Sequence, residues 1–435
     1  TGTIGNAVVT VASGKTFTAT AAKVNGETLN GAGTVAITAL HSTAAADLSN
    51  ITATAVTAAV DDDVTFTGTI GNAVVTVASG KTFTSTAAKV NAETLNGAGT
   101  VAITALDATA AADLSNITAT SVTANVADDV TFTGTIGKAV VSVDSGKTFT
   151  TTAAKVNGET LNGAGTVAIT ALDATAAADL SNITATSVTA NVADDVTFTG
   201  TIGKAVVSVD SGKTFTTTAA KVNGETLNGA GTVAITALDA TAAADLSNIT
   251  ATSVTANVAD DVTFTGTIGK AVVSVDSGKT FTSTAAKVNG ETLNGAGTVA
   301  ITALDATAAA DLSNITATAV TAAVAADVTF TGTIGKAVVT VASGKTFTST
   351  AAKVNGETLN GSGTVAITAL DATAAADLSK ITASTVTANV ADDVTFTGTI
   401  GNAVVSVDSG KTFTSTAAKV NGETLNGAGT VAITA

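Results

Sequence analysis

One feature constrains this sequence more than any other: the stretch 1–66 recurs along the whole chain, with substitutions but with no insertion or deletion. The pentapeptide TGTIG begins every copy, and residues 133–198 and 199–264 are identical letter for letter. Because a fixed period of this kind is typical of repeat architectures, it should be settled before any motif is interpreted. The repeats are 1–66, 67–132, 133–198, 199–264, 265–330 and 331–396, followed by a partial seventh repeat at 397–435.

Within each repeat, apolar residues alternate with hydroxylated ones over short runs. In DVTFTGTI (129–136), Val130 and Phe132 point one way, and the intervening threonines point the other. KTFTTT (147–152) places Phe149 inward in the same manner. Asn-Gly and Asp-Ser-Gly steps separate these runs and favour turns. The pattern predicts about seven short strands in each repeat, with most of the chain in strand or turn.

Two all-β architectures fit this pattern, a continuous β-solenoid and a row of small β-sandwich domains. We favour the solenoid, because no linker separates the repeats and their length never changes. Each repeat is also poor in large side chains, and a free-standing domain of that size would be marginally stable. Stacked coils would bury their apolar faces on each other. If one coil takes about 22 residues, a usual size for a stacked structural unit, one repeat contains about three coils.

Composition argues against several classes of function. The chain carries a net charge of −15 and contains no Cys, and all of its 19 basic residues are Lys. An acidic chain without Arg repels nucleic acid and cannot read phosphate bidentately. His41 is the only His, and we expect it to be an exposed substitution for the Asp found in other repeats. Catalytic triads and His- or Cys-based metal sites are therefore not expected, and we predict that the protein is not an enzyme.

Carboxylates are the remaining candidates for a binding site. Paired aspartates precede several of the TGTIG motifs by a few residues, and oxygen ligands of this kind suit weak Ca²⁺ binding. Stacked coils would align equal charges into stripes, where the carboxylates could equally serve to keep the protein soluble. No other cofactor is expected. The candidate Ca²⁺ ligands are Asp128, Asp129, Asp194, Asp195, Asp260, Asp261, Asp392 and Asp393.

The stretches VTVASGKTFT, LNGAGTVAIT and AADLSNITAT resemble the repeats of giant bacterial surface proteins and filamentous adhesins. The resemblance extends over the whole chain. It implies an extracellular, cell-attached and mainly structural role, as a stalk, sheath, filament or adhesin spacer. No catalytic or binding residue comes with it.

The partners expected from the sequence are neighbouring repeats and other copies of the same chain. No run of 18 apolar residues is present to cross a membrane as a helix. The alternative function is a binding surface, either Ca²⁺-dependent or ice-binding, because Thr-x-Thr arrays such as TFTTT are similar to flat ice-binding faces. An ice-binding face would need one regular row of threonines in every coil.

Overall fold

The computed structural model describes residues 2–435 as an all-β protein, a parallel β-solenoid with about 7% helix. Two compact units are distinguished. The first contains the described residues up to Phe215 together with Glu225–Gly231, and the second contains Thr216–Gly224 together with Thr232–Ala435. The predicted β-solenoid is confirmed. The alternative of separate β-sandwich domains is wrong, since the described strands pair in parallel and the sheets combine strands from neighbouring repeats.

Six kinds of strand and one short helix recur in chain order. The first kind, with the sequence VVSV or VVTV where complete, is β1 (Val9–Thr10), β7 (Val74–Val77), β13 (Val140–Val143), β19 (Val206–Val209), β25 (Val272–Val275), β31 (Val338–Val341) and β37 (Val404–Val407). The Phe-containing strands are β2 (Thr16–Ala19), β8 (Thr82–Ser85), β14 (Thr148–Thr151), β20 (Thr214–Thr217), β26 (Thr280–Ser283), β32 (Thr346–Ser349) and β38 (Thr412–Thr416). The helices are α1 (Ala21–Val24), α2 (Ala87–Val90), α3 (Ala153–Val156), α4 (Ala219–Val222), α5 (Ala285–Val288), α6 (Ala351–Val354) and α7 (Ala417–Val420), and a single 3-10 turn covers Leu40–Ser42.

The remaining four kinds of strand follow each helix. Those with the sequence LNG or LN are β3 (Leu29–Asn30), β9 (Leu95–Gly97), β15 (Leu161–Gly163), β21 (Leu227–Gly229), β27 (Leu293–Gly295), β33 (Leu359–Gly361) and β39 (Leu425–Gly427). Those with the sequence TVAI are β4 (Thr34–Ile37), β10 (Thr100–Ile103), β16 (Thr166–Ile169), β22 (Thr232–Ile235), β28 (Thr298–Ile301), β34 (Thr364–Ile367) and β40 (Thr430–Thr434). The six-residue strands are β5 (Ala55–Val60), β11 (Ser121–Val126), β17 (Ser187–Val192), β23 (Ser253–Val258), β29 (Ala319–Val324) and β35 (Thr385–Val390). The two-residue strands are β6 (Val64–Thr65), β12 (Val130–Thr131), β18 (Val196–Thr197), β24 (Val262–Thr263), β30 (Val328–Thr329) and β36 (Val394–Thr395).

The sheets of each unit do not coincide with the repeats. In the first unit the strand orders are β1-β3, β2-β4-β5-β7-β9, β6-β8-β10-β11-β13-β15 and β12-β14-β16-β17-β19-β21. In the second unit they include β22-β23-β25-β27, β24-β26-β28-β29-β31-β33, β30-β32-β34-β35-β37-β39 and β36-β38-β40. The equivalent strands β6 and β12 thus belong to different sheets. Equivalent residues of consecutive repeats therefore do not stack directly on each other, and the predicted stripes of equal charge do not form in that simple way.

The turn of the solenoid is shorter than the length assumed from the sequence. The residues paired from one turn to the next are, in order, Thr65, Thr84, Ala102, Thr123 and Val140. The number of residues per turn therefore varies along the chain. A turn takes about 19 residues, and a 66-residue repeat covers about three turns with some residues to spare. This remainder explains why each repeat begins a new sheet.

The core lies between the sheets and contains the apolar residue of each alternating pair. Phe149 is fully buried, while Thr148 and Thr150 on the same strand are half-exposed, as the alternation predicts. The ring of Phe149 packs on Phe132 of the preceding turn, with centroids 5.3 Å apart. The hydroxyl of buried Thr151 donates to the Phe132 carbonyl at 2.9 Å, so this polar group is satisfied inside the core.

The predicted core position of Phe149 holds for most of its equivalents. Phe17 is an exception, because it is only half-buried in the first repeat. The other equivalents are fully buried: Phe83, Phe215, Phe281, Phe347 and Phe413.

Short helices occur where the sequence pattern predicts none. Ala153–Val156 forms the single helical turn α3, which buries Ala153 and Val156. Ala favours helix, and the turn ends because Asn157 is extended and Gly158 has a φ of 74°. The segment 173–180, which could have formed a helical turn by composition, contains turns and one isolated bridge at Asp179 instead.

Candidate functional site

Aspartates and lysines from successive turns meet at the ends of the strands. Asp128 and Asp129 lie in the turn between β11 and β12, and Lys147 lies in the turn between β13 and β14. Because β11 pairs with β13 and β12 pairs with β14, these two turns lie side by side. We name Asp107, Asp128, Asp129, Asp144 and Lys147 the Asp-Lys cluster.

Four contacts hold the Asp-Lys cluster together. The Lys147 ammonium donates to Asp128 Oδ1 at 2.6 Å, and the Thr148 backbone N–H donates to Asp129 Oδ1 at 2.7 Å. Asp107 Oδ1 accepts from the Ala127 N–H at 2.8 Å. Asn125 Nδ2 donates to Asp144 Oδ2 at 3.3 Å. Each carboxylate therefore ties one turn to the next.

The ion pair of this cluster lies at the surface. The side chain of Asp128 is 75% exposed and that of Lys147 is 36% exposed. The hydrogen bond to Asp128 and the charge of that carboxylate raise the pKa of Lys147, with smaller effects from Asp129 and Asp107. Solvent and salt screen such exposed pairs, so this pair orients the turn more than it stabilises the fold. The same ion pair joins Asp62 to Lys81, Asp194 to Lys213, Asp260 to Lys279 and Asp392 to Lys411.

The two carboxylates of each candidate Ca²⁺ pair already have separate partners. Asp128 faces a lysine and Asp129 faces a backbone N–H, and the same division holds for Asp194 with Asp195, Asp260 with Asp261 and Asp392 with Asp393. Ca²⁺ takes six to eight oxygen ligands. Within residues 2–435, no group of three or more His, Asp or Glu side chains is arranged to hold a metal ion. A bound Ca²⁺ would have to displace the lysine, and its binding stays a prediction.

Some residues that contact each other across turns are substituted together from one repeat to another. This covariation is seen only when the repeats are compared. Asn125 and Asp144 form a pair, whereas the equivalent positions Ala59 and Ala78 are both alanine. The Asn-Asp combination recurs at Asn191 with Asp210, Asn257 with Asp276 and Asn389 with Asp408, and the Ala-Ala combination recurs at Ala323 with Ala342. This covariation at a separation of 19 residues was the signal that could have identified neighbouring turns.

His41 belongs to a second pair of positions that are substituted together, and it is not the exposed substitution that we expected. It occupies the position of Asp107, and Asp61 occupies the position of Ala127. His41 Nδ1 lies 2.6 Å from Asp61 Oδ1, in a direction that does not satisfy hydrogen-bond geometry. The side chain of His41 is only 24% exposed. The first repeat thus replaces a carboxylate–backbone contact with a contact between two side chains.

A second set of polar contacts joins turns near the helices α1 to α6. The Asp113 backbone N–H donates to Asn91 Oδ1 at 2.8 Å, and the Ala92 N–H donates to the Asp113 carbonyl at 2.8 Å. Asp113 Oδ1 also accepts from the Ser115 N–H at 3.0 Å. The same Asn–Asp contact recurs between Asn25 and Asp47, Asn157 and Asp179, Asn223 and Asp245, Asn289 and Asp311, and Asn355 and Asp377.

The pKa values of the carboxyl groups in this region are shifted in opposite directions. Hydrogen bonds from the Ser115 side chain and backbone lower the pKa of Asp113. Partial burial raises the pKa of Glu93, which lies close to the helix. The pKa is lowered in the same way for Asp47, Asp245, Asp311 and Asp377, and raised by burial for Glu159, Glu225, Glu291, Glu357 and Glu423.

These shifts predict a stability maximum in mild acid. The stabilisation from Asp113 is present above the unfolded pKa of a carboxyl group and is lost as the pH falls through its lower folded pKa. The charge of Glu93 is unfavourable in the folded state, and that penalty disappears as the pH falls through its raised folded pKa. We expect the melting temperature to rise from pH 7 into mild acid and to fall below about pH 4. Thermal melts between pH 3 and 8 measure both limbs.

Matched substitutions separate the two carboxyl groups. Replacing Glu93 and its equivalents with Gln should remove part of the rise in mild acid, while Ser115→Ala and its equivalents should weaken the fall at low pH. A melting temperature that rises steadily from pH 5 to pH 8 in the unsubstituted protein would contradict the assignment.

The described residues contain no helix that is both long and apolar enough to cross a membrane. No family model matches the chain, and no curated protein or solved structure matches it either.

Proposed function

We propose that this protein is a structural repeat segment of an extracellular, cell-attached protein, serving as a stalk, sheath, filament or adhesin spacer. The observation that carries the proposal is the recurrence of one strand register. β14 pairs with β16 in the first unit in the same way as β26 pairs with β28 in the second, with Phe opposite Val in both. A segment whose repeats all fold alike can change its length through copy number without changing its surface.

The way in which the turns are joined supports a mechanical role. Parallel strands connect each turn to the next through backbone hydrogen bonds, and rows of buried Val, Ile, Leu and Phe run beneath them. Side-chain contacts such as Asn91 to Asp113 and Lys147 to Asp128 add further links between turns. Pulling one turn away from its neighbour would break all three kinds of contact together. The resemblance of the repeats to those of giant bacterial surface proteins supports the extracellular location.

The proposal is tested with proteins that contain one, two and four repeats. Nearest-neighbour coupling predicts that the melting temperature rises with repeat number and then reaches a plateau. Small-angle scattering should show a maximum dimension that grows by an equal step for each added repeat. Equal melting temperatures for all three proteins, or a dimension that stops growing, would rule out a spacer whose length follows copy number.

The proposed location is tested separately. Antibodies raised against residues 133–198 should label intact cells of the source organism without permeabilisation. Labelling that requires permeabilised cells would contradict an extracellular role.

A further inference from the structure

The outward face of each sheet is uncharged, although the chain is strongly acidic. In the sheet β12-β14-β16-β17-β19-β21, the residues that alternate with buried ones are small and mostly hydroxylated. We name this set the Thr face. Its members are Thr131, Thr148, Thr150, Thr166, Ala168, Ser187, Thr189, Asn191, Val206, Ser208 and Asn228.

Strand register arranges the Thr face in columns. One column contains Thr150, Ala168, Thr189 and Val206 as successive partners. A parallel column contains Thr148, Thr166 and Ser187. Because neighbouring strands are about 4.8 Å apart, each column repeats a small side chain at that interval. Side chains of a partner can contact every strand of such a surface only if the partner repeats them at the same spacing.

The charges of the chain lie in the turns at the ends of the strands. Asp128, Asp129 and Lys147 flank β12, β13 and β14 on one side, and Lys155 and Asp179 lie beyond the strands elsewhere. Like charges repel over about 8–10 Å at physiological ionic strength. Two copies that approach through their turns therefore bring carboxylates together. Two copies that approach through their Thr faces bring mainly neutral side chains into contact, with Asp210 at the edge, where its carboxylate accepts a hydrogen bond from Asn191 at 3.3 Å.

We propose that copies of this chain associate laterally through their Thr faces. The inference rests on the proposed structural role and names the surface through which a filament or sheath would assemble. Small side chains allow two such faces to pack at about 10 Å, the usual distance between stacked sheets. The second unit presents the same uncharged face, with Thr280, Thr282, Thr298 and Thr321 in its sheet β24-β26-β28-β29-β31-β33.

One Thr face gives only a small interface. Six strands at about 4.8 Å and about four residues of each give an area on the order of 400 Å², against about 800 Å² per partner in a stable interface. Association through one face is therefore expected to be weak and to require a high protein concentration.

The test is sedimentation velocity of the full chain at low and high NaCl, with two matched variants. The face variant carries Glu in place of Thr57, Thr123, Thr189, Thr255, Thr321 and Thr387, which lie outward at the same position of the six-residue strands. The control variant carries Glu in place of Ser79, Ser145, Ser211, Ser277, Ser343 and Ser409, which are exposed in the turns between strands. Both variants add six negative charges, and thermal melts establish that both are folded.

We expect the unsubstituted chain and the control to associate at high NaCl, where repulsion between the turns is screened. The face variant should associate at least about tenfold more weakly, because each contact would then enclose two carboxylates. Equal association of the two variants, or a full chain that is monomeric at every salt concentration, overturns the proposal. So does a monomeric chain whose Thr face instead binds ice or a crystalline polysaccharide in a manner that the face variant loses. The structural role is tested separately by the proteins of one, two and four repeats. If their melting temperatures and dimensions increase as expected, that role stands even when the lateral association proposed here is overturned.

Discussion

Replacing Phe149 with alanine is expected to destabilise its own repeat by about 3–5 kcal/mol, as is usual when a large buried ring is removed. The side chain is fully buried, its ring packs on Phe132 at 5.3 Å, and its strand neighbours on the two sides are Val130 and Val167. All of these contacts are made between turns, so the cavity would weaken two turn interfaces at once. Hydrogen exchange of the amides in 133–198 measures the local loss of stability.

Two comparisons make this prediction specific to burial. Thr148→Ser, on the outward side of the same strand, should change the exchange rates little. Phe17→Ala should cost less than Phe149→Ala, because Phe17 is only half-buried. If Phe149→Ala leaves exchange in its own repeat unchanged, the ring does not hold the turns together as the structure indicates.

Replacing Gly134 with alanine is expected to cost about 3 kcal/mol or more, although it adds a single methyl group. A Cβ atom at this position would overlap the carbonyl oxygen of Ala112 in the preceding turn, and its other nearest atoms are also backbone. The turns could separate only by weakening the hydrogen bonds from Thr133 and Thr135 to that turn, at 2.7 and 2.9 Å. Chemical denaturation of a protein of two or more repeats would measure the loss.

The chain itself supplies the control for this substitution. Gly158 has a φ of 74°, but no atom lies within 4 Å of the place that an added methyl group would occupy. The equivalent residue in the second repeat is Ala92, at a φ of 61°. Gly158→Ala should therefore cost only about 1 kcal/mol, the usual penalty for a left-handed backbone conformation. Equal effects of Gly134→Ala and Gly158→Ala would show that backbone conformation, and not the close approach of turns, explains both glycines.

The candidate site could be predicted only in part from one sequence. The paired aspartates stood out as candidates, but their partners did not, because Lys147 lies 19 residues from Asp128 and the assumed turn was longer than that. An error of a few residues per turn places the wrong side chains together. The covarying pairs Asn125 with Asp144 and His41 with Asp61 are separated by about the length of one turn, and could have indicated that length.

The sequence by itself determined the architecture and the facing of the strands. An unvarying period without linkers leaves little room for independent domains, and strict alternation places Phe132 and Phe149 inside and the adjacent threonines outside. Both follow from local chemistry, since a strand has a period of two and a buried face must be apolar.

Only the tertiary structure decided which turn lies beside which. The period counts residues per repeat and not per turn, and a turn of about 19 residues does not divide evenly into 66. As a result the equivalent strands β6 and β12 belong to different sheets. The close approach of Gly134 to the preceding turn and the helical turn at Ala153–Val156 also depend on how the turns pack, and neither was predicted from the sequence. Neighbours in a solenoid are set by how the backbone of one turn packs on the next, and no single repeat determines that geometry.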